Sequence, residues 1–135
     1  MKTIPTVQRY MSTSPYTVGA EQSLATARAM MREHEIRHLP VMHGNRLVGI
    51  VSDGDIQVIS GLQGSDLTKM TVEDAMTQDV LTFEPDTALD TVALAMAERK
   101  AGSAVVMQNT RVVGIFTTVD GMTALADLLH TRLKT

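Results

Sequence analysis

Two stretches of the sequence end in the same polar pattern, Gly-apolar-apolar-Ser/Thr-x-x-Asp. The first is Gly49-Ile50-Val51-Ser52-Asp53-Gly54-Asp55 and the second is Gly114-Ile115-Phe116-Thr117-Thr118-Val119-Asp120. An apolar strand that runs into a helix at the Ser or Thr places that hydroxyl at a helix N-terminus. Free N–H groups and the positive end of the dipole there suit a phosphate. One turn on, the carboxylate of Asp55 or Asp120 can accept hydrogen bonds from two neighbouring ribose hydroxyls. A glycine inside a strand admits close approach of a backbone or a ligand. The same spacing has a second reading. Ser or Thr followed three residues later by an acid caps a helix, and acids favour a first helical turn in any case. Spacing alone leaves both readings open.

Other residue pairs point to weaker chemistry. His34 and His38 are four apart, a metal-ligand spacing on a helix. Ile36 to Pro40 reads as the entry to a strand, so the two imidazoles are not expected to share a face, and no metal site is expected. Asp53 and Asp55 could form a carboxylate pair for general acid–base work, but no nucleophile accompanies them. The sequence has neither a Gly-x4-Gly-Lys-Ser/Thr phosphate loop nor a Gly-x-Gly-x-x-Gly fingerprint. Catalysis is not expected.

The elements that must position these residues come in two copies. Shifted by 65 residues, the chain falls into register with itself without a gap, and 15 of the 50 positions from Thr6 to Asp55 are identical to their counterparts from Thr71 to Asp120. Matches include Met11/Met76, Leu24/Leu89, Met31/Met96, and Val48-Gly49-Ile50 with Val113-Gly114-Ile115. A duplicated unit is the economical explanation. Each unit opens on a short lead-in, Val7 to Met11 or Val72 to Met76, that reads as a helical turn or two. A short strand follows, around Thr17-Val18 or Leu81 to Phe83, punctuated by Pro15, Gly19 and Pro85. Apolar residues at helical spacing then predict a helix from Ser23 to His34 and its twin from Ala88 to Lys100. Two strands come next, His38 to Met42 and Arg46 to Ser52, joined by the turn His43-Gly44-Asn45; their twins are Ser103 to Gln108 and Arg111 to Thr117. A closing helix starts near Ser52 and near Thr117. Residues 1–61 form the first repeat, 62–70 a linker and 71–135 the second repeat. A unit of about 50–60 residues buries too little surface to stand alone. The two are expected to pack sheet to sheet about a pseudo-twofold axis as one α/β (α+β) module of two β-α-β-β-α repeats.

Composition bounds the function. Of the 135 residues 44% are hydrophobic and 20% charged, the balance of a globular protein. Aromatics are 3%, so the core must be aliphatic, and the ten methionines are read mostly as filler for it rather than as metal or redox groups. The net charge of −3, without a strongly basic stretch, argues against nucleic acid or an anionic membrane as the main partner. No Cys is present, which excludes disulfides, thiol catalysis and Cys-based metal sites. Met1-Lys2-Thr3-Ile4-Pro5 lacks an apolar signal core, and no apolar run approaches the roughly 20 residues that span a bilayer. A cytoplasmic protein is expected.

The sequence resembles the CBS-domain family, named for cystathionine beta-synthase, over nearly its whole length, Val7 to about Leu128. The first repeat carries Tyr10-Met11-Ser12, Ile36-Arg37-His38-Leu39-Pro40-Val41, and Arg46 to Ser52 followed by Asp55. The second carries Asp74-Ala75-Met76-Thr77 and Val112 to Thr117 followed by Asp120. Each piece is weak, but together, in order and twice, they are specific. The resemblance implies a pseudo-symmetric pair, often called a Bateman module. Many such pairs bind AMP, ADP, ATP or S-adenosylmethionine in two clefts between the repeats. It implies that Asp55 and Asp120 hold ribose and that Ser52 and Thr117 assist phosphate. Ser14, Pro15 and Tyr16 in the first unit, and Asp79, Val80 and Leu81 in the second, stand where the family lines the base. Arg37 and His38 stand where relatives turn cations toward phosphate. Some relatives use them for the cleft of the other repeat, which pairs them here with Thr117 and Asp120. The second repeat departs at this point: Gly102-Ser103-Ala104-Val105 replaces Arg37-His38-Leu39-Pro40, with no cation and no Pro. The clefts are therefore expected to be unequal. Asp79 either reads an exocyclic amine or faces solvent.

The expectation is a regulatory module, not an enzyme, that senses an adenosine-type nucleotide and needs no cofactor. The alternative is a ligand-free interaction or dimerisation module. Both imply a homodimer, its contact supplied by the closing helices around Ile56 and Ile59 and around Met122 and Leu125, with an effector protein acting in trans.

Overall fold

The structure, a computed structural model, describes residues 3–133. A single 3-10 turn at Val7–Arg9 leads into β1 (Ser12–Thr13). There follow β2 (Val18–Gly19), α1 (Leu24–His34), β3 (His38–His43), β4 (Arg46–Ser52) and α2 (Asp53–Ser60). After a second 3-10 turn, Val72–Asp74, come β5 (Thr82–Phe83), α3 (Leu89–Arg99), β6 (Ser103–Gln108), β7 (Arg111–Thr117) and α4 (Thr118–Arg132). The fold is mixed α and β, in two β-α-β-β-α repeats. The ends of α3, β6 and β7 are those of α1, β3 and β4 moved by the 65 residues of the sequence repeat. Backbone detail repeats with them. The left-handed residue that stops the first long helix is Glu35 and its twin is Lys100; the hairpin turns place Gly44 and Asn109 at positive φ, where Gly and Asn are the residues that fit.

The chain divides into two compact units. One is Tyr16–Val80; the other combines the described residues up to Pro15 with those from Leu81 onward. The units are thus cut differently from the sequence repeats, because each lead-in folds with the strands and helices of the other repeat. In the unit of Tyr16–Val80 the sheet order is β2-β3-β4, with β2 parallel and β4 antiparallel to β3. Thr77 adds a backbone bridge to Ile50 on β4. In the other unit the order is β1-β7-β6-β5, and β1 pairs antiparallel with β7. The strand β1 is an element the alternation of apolar residues does not announce, since Ser12 and Thr13 are both exposed.

Packing explains the exchange. Val7 is fully buried among Leu89, Val92, Met96, Val106 and Phe116, and Val72 among Leu24, Leu39, Val51 and Ile56. Burial of one such side chain contributes roughly 1.5–3 kcal/mol, enough to hold a short lead-in in place. The glycines of the repeated motif accommodate the same contact. A Cβ at Gly49 would stand 2.5 Å from the sulfur of Met76 and 3.0 Å from the Thr77 carbonyl oxygen; at Gly114 it would strike Met11. The close approach expected at these glycines is therefore that of the lead-in, not of a ligand. The linker is also tied down. Leu67 is buried in the core, and the carbonyls of Leu67 and Met70 accept the N–H groups of Ala25 and Leu24 at the start of α1. No helix among the described residues is long and apolar enough to cross a membrane.

Candidate functional site

At the end of β4 the chain enters α2 through a capping box. The Asp55 N–H donates to Ser52 Oγ at 3.1 Å, and the Ser52 N–H donates to Asp55 Oδ2 at 2.9 Å. The twin junction is built alike. The Thr117 N–H donates to Asp120 Oδ2 at 2.9 Å and the Asp120 N–H to Thr117 Oγ1 at 3.4 Å. The capping reading of the motif is thus realised at both sites. It occupies one carboxylate oxygen. Each Asp is half-buried and keeps a second oxygen with no bond to the described residues. Capping and ligand holding are compatible in this geometry.

The two junctions differ in their surroundings. In the first, His38 lies directly opposite Ser52 across the β3–β4 pair, and the Arg37 carbonyl accepts the Asp53 N–H at 2.8 Å. His38 is half-buried. Burial pushes its pKa below the usual imidazole value, Asp55 pulls it back up and Arg37 adds to the lowering. Arg37 and His38 therefore lie in one unit with Ser52 and Asp55, whereas the resemblance pairs them with Thr117 and Asp120, which belong to the other unit. In the second, Ser103 lies opposite Thr117 and is buried, and the Gly102 carbonyl accepts the Thr118 N–H at 3.1 Å. The backbone is alike at the two junctions, while Arg37 and His38 have no basic counterpart at the second. The hydroxyls differ too. Thr117 donates to Asp120 Oδ2 at 3.2 Å, whereas the Ser52 hydroxyl only accepts and keeps its proton for a further partner.

The residues expected to line a base are regrouped by the exchanged lead-ins. Thr77 is held on β4 by reciprocal backbone bonds with Ile50 of 2.9 and 2.8 Å, so Asp79 and Val80 follow in the unit of Ser52 and Asp55. Ser14, left-handed at φ 48°, donates its N–H to the Val113 carbonyl on β7, which places Ser14 and Pro15 with Thr117 and Asp120. Leu81 joins them through its carbonyl, which accepts from the Val105 N–H, while Tyr16 falls in the unit of Ser52 and Asp55. Asp79 is exposed and has a partner of its own. The Tyr16 ring is stacked on His34, with centroids 3.7 Å apart and planes 11° from parallel. His34 is thus engaged with an aromatic ring. No group of three potential metal ligands occurs among the described residues.

One expectation is corrected. Ile56 is fully buried in the core and cannot supply an exposed contact, and Ile59 is half-buried; on α2 and just beyond it Val58 and Leu62 are the exposed apolar residues. Val58, two positions on from Ile56, lies on roughly the opposite side of the helix. Sequence reasoning also missed the clasp in which the Tyr10 hydroxyl donates to Asp127 on α4, with Arg9 beside it at 3.9 Å. A separation of 117 residues gives no sequence signal for it.

The CBS-domain family model matches residues 7–58 and 72–127, both copies of the duplicated unit. The chain belongs to the CBS-domain family. As a CBS pair it is similar to part of the L-aspartate semialdehyde sulfurtransferase of Methanocaldococcus jannaschii, 35% identical over 120 residues, or 87% of this chain and 22% of that protein. It likewise spans 24% of the inosine-5'-monophosphate dehydrogenase of Korarchaeum cryptofilum, at 32% identity. The likeness to these long enzymes covers only a fraction of their length. Among solved structures, AcuB of Vibrio cholerae superposes with a TM-score of 0.84 at 28% identity, covering 98% of both chains. The CBS domain pair of protein MJ0100, in complex with 5'-methylthioadenosine and S-adenosyl-L-methionine, gives 0.81 at 29% identity, over 93% of this chain and 98% of that one.

Proposed function

We propose that this CBS pair is a regulatory module without catalysis that binds an adenosine-type ligand: AMP, ADP, ATP or S-adenosylmethionine. It acts in the cytoplasm, self-associates, and passes the signal in trans to an effector protein. The observation that carries this reading is the half-buried carboxylate at each strand-to-helix junction, with one oxygen in the cap and one left to accept from a ribose diol. The likeness to the MJ0100 pair, which holds two adenosine derivatives, supports the ligand class.

The two junctions favour different ligands. Arg37, His38 and a Ser52 hydroxyl with its proton available suit a phosphate-bearing nucleotide beside Asp55. Ser103 and Thr117, with no cation, suit an uncharged or sulfonium-bearing adenosine derivative beside Asp120. A second reading, a ligand-free interaction module, draws on the capping boxes, which by themselves explain why Ser/Thr and Asp recur. Melting curves with and without each compound at millimolar concentration separate the two. Binding to the folded state alone raises the melting temperature. A rise that disappears in Asp55→Ala/Asp120→Ala supports the sensor; no rise with any adenosine compound leaves the interaction module.

A further inference from the structure

The duplication supplies an internal control for how the closing helices are seated. Near the start of α2, beside the Ser52–Asp55 cap, the Ile56 side chain is fully buried and anchors the helix in the core. The residue 65 positions on, in α4, is Gly121, which has no side chain to bury. The Phe116 ring takes part of that space, 3.7 Å from a Cβ built at Gly121. A hollow of about 590 Å³ remains between α3 and α4, with Met96, Phe116, Gly121 and Met122 in its lining. Over its 15 residues α4 buries one side chain, that of Ala124. Its cap is also longer, with the Asp120 N–H 3.4 Å from Thr117 Oγ1 against 3.1 Å at the twin position.

Polar contacts to the lead-in hold α4 instead. The Tyr10 hydroxyl donates to Asp127 Oδ2. The Arg9 guanidinium stands 3.9 Å from the same oxygen and 5.4 Å from the centre of the Tyr10 ring. Further along the helix, Arg132 Nη2 donates to the Thr3 carbonyl at 2.8 Å. The Tyr10 ring and Leu128 both pack against the core of this unit. The twin positions hold different residues: Ala75 for Tyr10, Asp74 for Arg9, Leu62 for Asp127 and Leu67 for Arg132. One repeat thus seats its closing helix by a buried isoleucine, the other by a polar clasp. The lead-in is itself fixed to β7, the strand that ends at Thr117, with Ser12 opposite Ile115 and Thr13 opposite Gly114. From β7 to α4, through Asp127 and Tyr10 to β1 and back to β7, the parts close a ring with the Thr117–Asp120 cap at one corner.

We propose that Tyr10 and Asp127 are positioning residues for the carboxylate of the second junction: their clasp holds α4 in the orientation in which the free oxygen of Asp120 accepts from a ligand hydroxyl. The proposal deepens the ligand reading given above and rests on it for the second junction. Asp120 and Asp127 are seven residues apart, two turns, so they share a face of α4 and lie about 10 Å apart along its axis. Without the clasp α4 pivots on its cap and on Ala124, and the Asp120 carboxylate turns with it. Asp55 needs no such help, because Ile56 already fixes α2. Both positioning residues act through Asp120 and not by contact with a ligand.

Tyr10→Phe removes the hydroxyl and leaves the ring in the core. It is made in the full chain carrying Asp55→Asn, so that only the second junction is read. 5'-Methylthioadenosine and S-adenosylmethionine are titrated well below the melting temperature, where every variant is folded. Affinity should fall about threefold to tenfold, the size of one lost hydrogen bond. Asp127→Ala should lose about as much, and Tyr10→Phe/Asp127→Ala no more than either alone, because the two residues act as one unit. Asp127→Asn keeps an oxygen for the Tyr10 hydroxyl and should retain most of the affinity. AMP binding in a chain carrying Asp120→Asn should be unchanged by Tyr10→Phe. A lowered melting temperature with unchanged affinity makes the clasp a structural contact only; this result, or an equal loss at both junctions, overturns the proposal and leaves the ligand reading standing. Absence of binding of either compound to the Asp55→Asn chain overturns both.

Discussion

Replacing Asp55 by Asn separates the two roles open to its carboxylate. Asn keeps an amide oxygen that can accept the Ser52 N–H, now 2.9 Å from Oδ2, so the cap survives. Asp55 is the N3 partner of the capping box, and Asn there can reach back in the same way, losing only the attraction of a full negative charge to the helix N-terminus, about 0.3–1 kcal/mol. Ala also loses the hydrogen bond from the Ser52 N–H, worth about 1 kcal/mol more, a further fall of about 3–5 °C in a domain of this size. Ligand binding responds differently. The second oxygen, free of the cap, becomes an NH2 donor facing a diol that needs an acceptor. A hydrogen bond to a charged group is worth roughly 1.5–3 kcal/mol, so affinity should fall about 10–100-fold. At a ligand concentration about 100 times the parent Kd, which stabilises by about 2.7 kcal/mol, the residual stabilisation in Asp55→Asn should be roughly 0.4–1.4 kcal/mol. The assay is thermal melting with and without AMP, in a chain already carrying Asp120→Asn so that only the first junction is read. A full ligand shift in Asp55→Asn would refute the assignment of the free oxygen to ribose.

Further outcomes follow from the same geometry. Gly49→Ala should destabilise by about 1–3 kcal/mol in urea unfolding, because its Cβ meets Met76, and Met76→Ala in the same chain should recover part of the loss since the sulfur is gone while the Thr77 carbonyl remains. Arg37→Ala should weaken AMP and ATP several-fold in direct titration and leave 5'-methylthioadenosine unaffected. Folded His38 releases its proton at lower pH than the unfolded chain, whose value lies near 6.5. Between the two values the unfolded state holds more protons, so this contribution to stability is present above 6.5, is lost as pH falls through it, and levels off below the folded pKa. Melting temperatures from pH 8 to 5 should show this loss, and His38→Gln should remove that part of it.

Much of this architecture was legible because duplication let each repeat check the other. Helix and strand ends came within a residue or two, since apolar spacing, the Gly44 and Asn109 turns and the Ser52 and Thr117 caps are local signals. What escaped was non-local. Nothing in Ser12-Thr13 marks it as a strand, because its partner β7 lies about 100 residues away and both of its side chains face solvent. The lead-ins looked like parts of their own repeats, although Val7 and Val72 are core residues of the opposite one. Gly49 and Gly114 signalled a close approach correctly but could not say that Met76 and Met11 make it. Ile56 reads as a surface residue because an eight-residue helix makes only about two turns, too few for apolar spacing to fix its buried side.

The most direct measurement is calorimetric titration of AMP, ADP, ATP and S-adenosylmethionine into the full chain and into Asp55→Asn/Asp120→Asn. Saturable binding of at least one compound to the parent chain, weakened at least tenfold in the double variant, is the expected result. Absence of saturable binding for all four, or equal binding by both proteins, would contradict a sensor built on these two carboxylates.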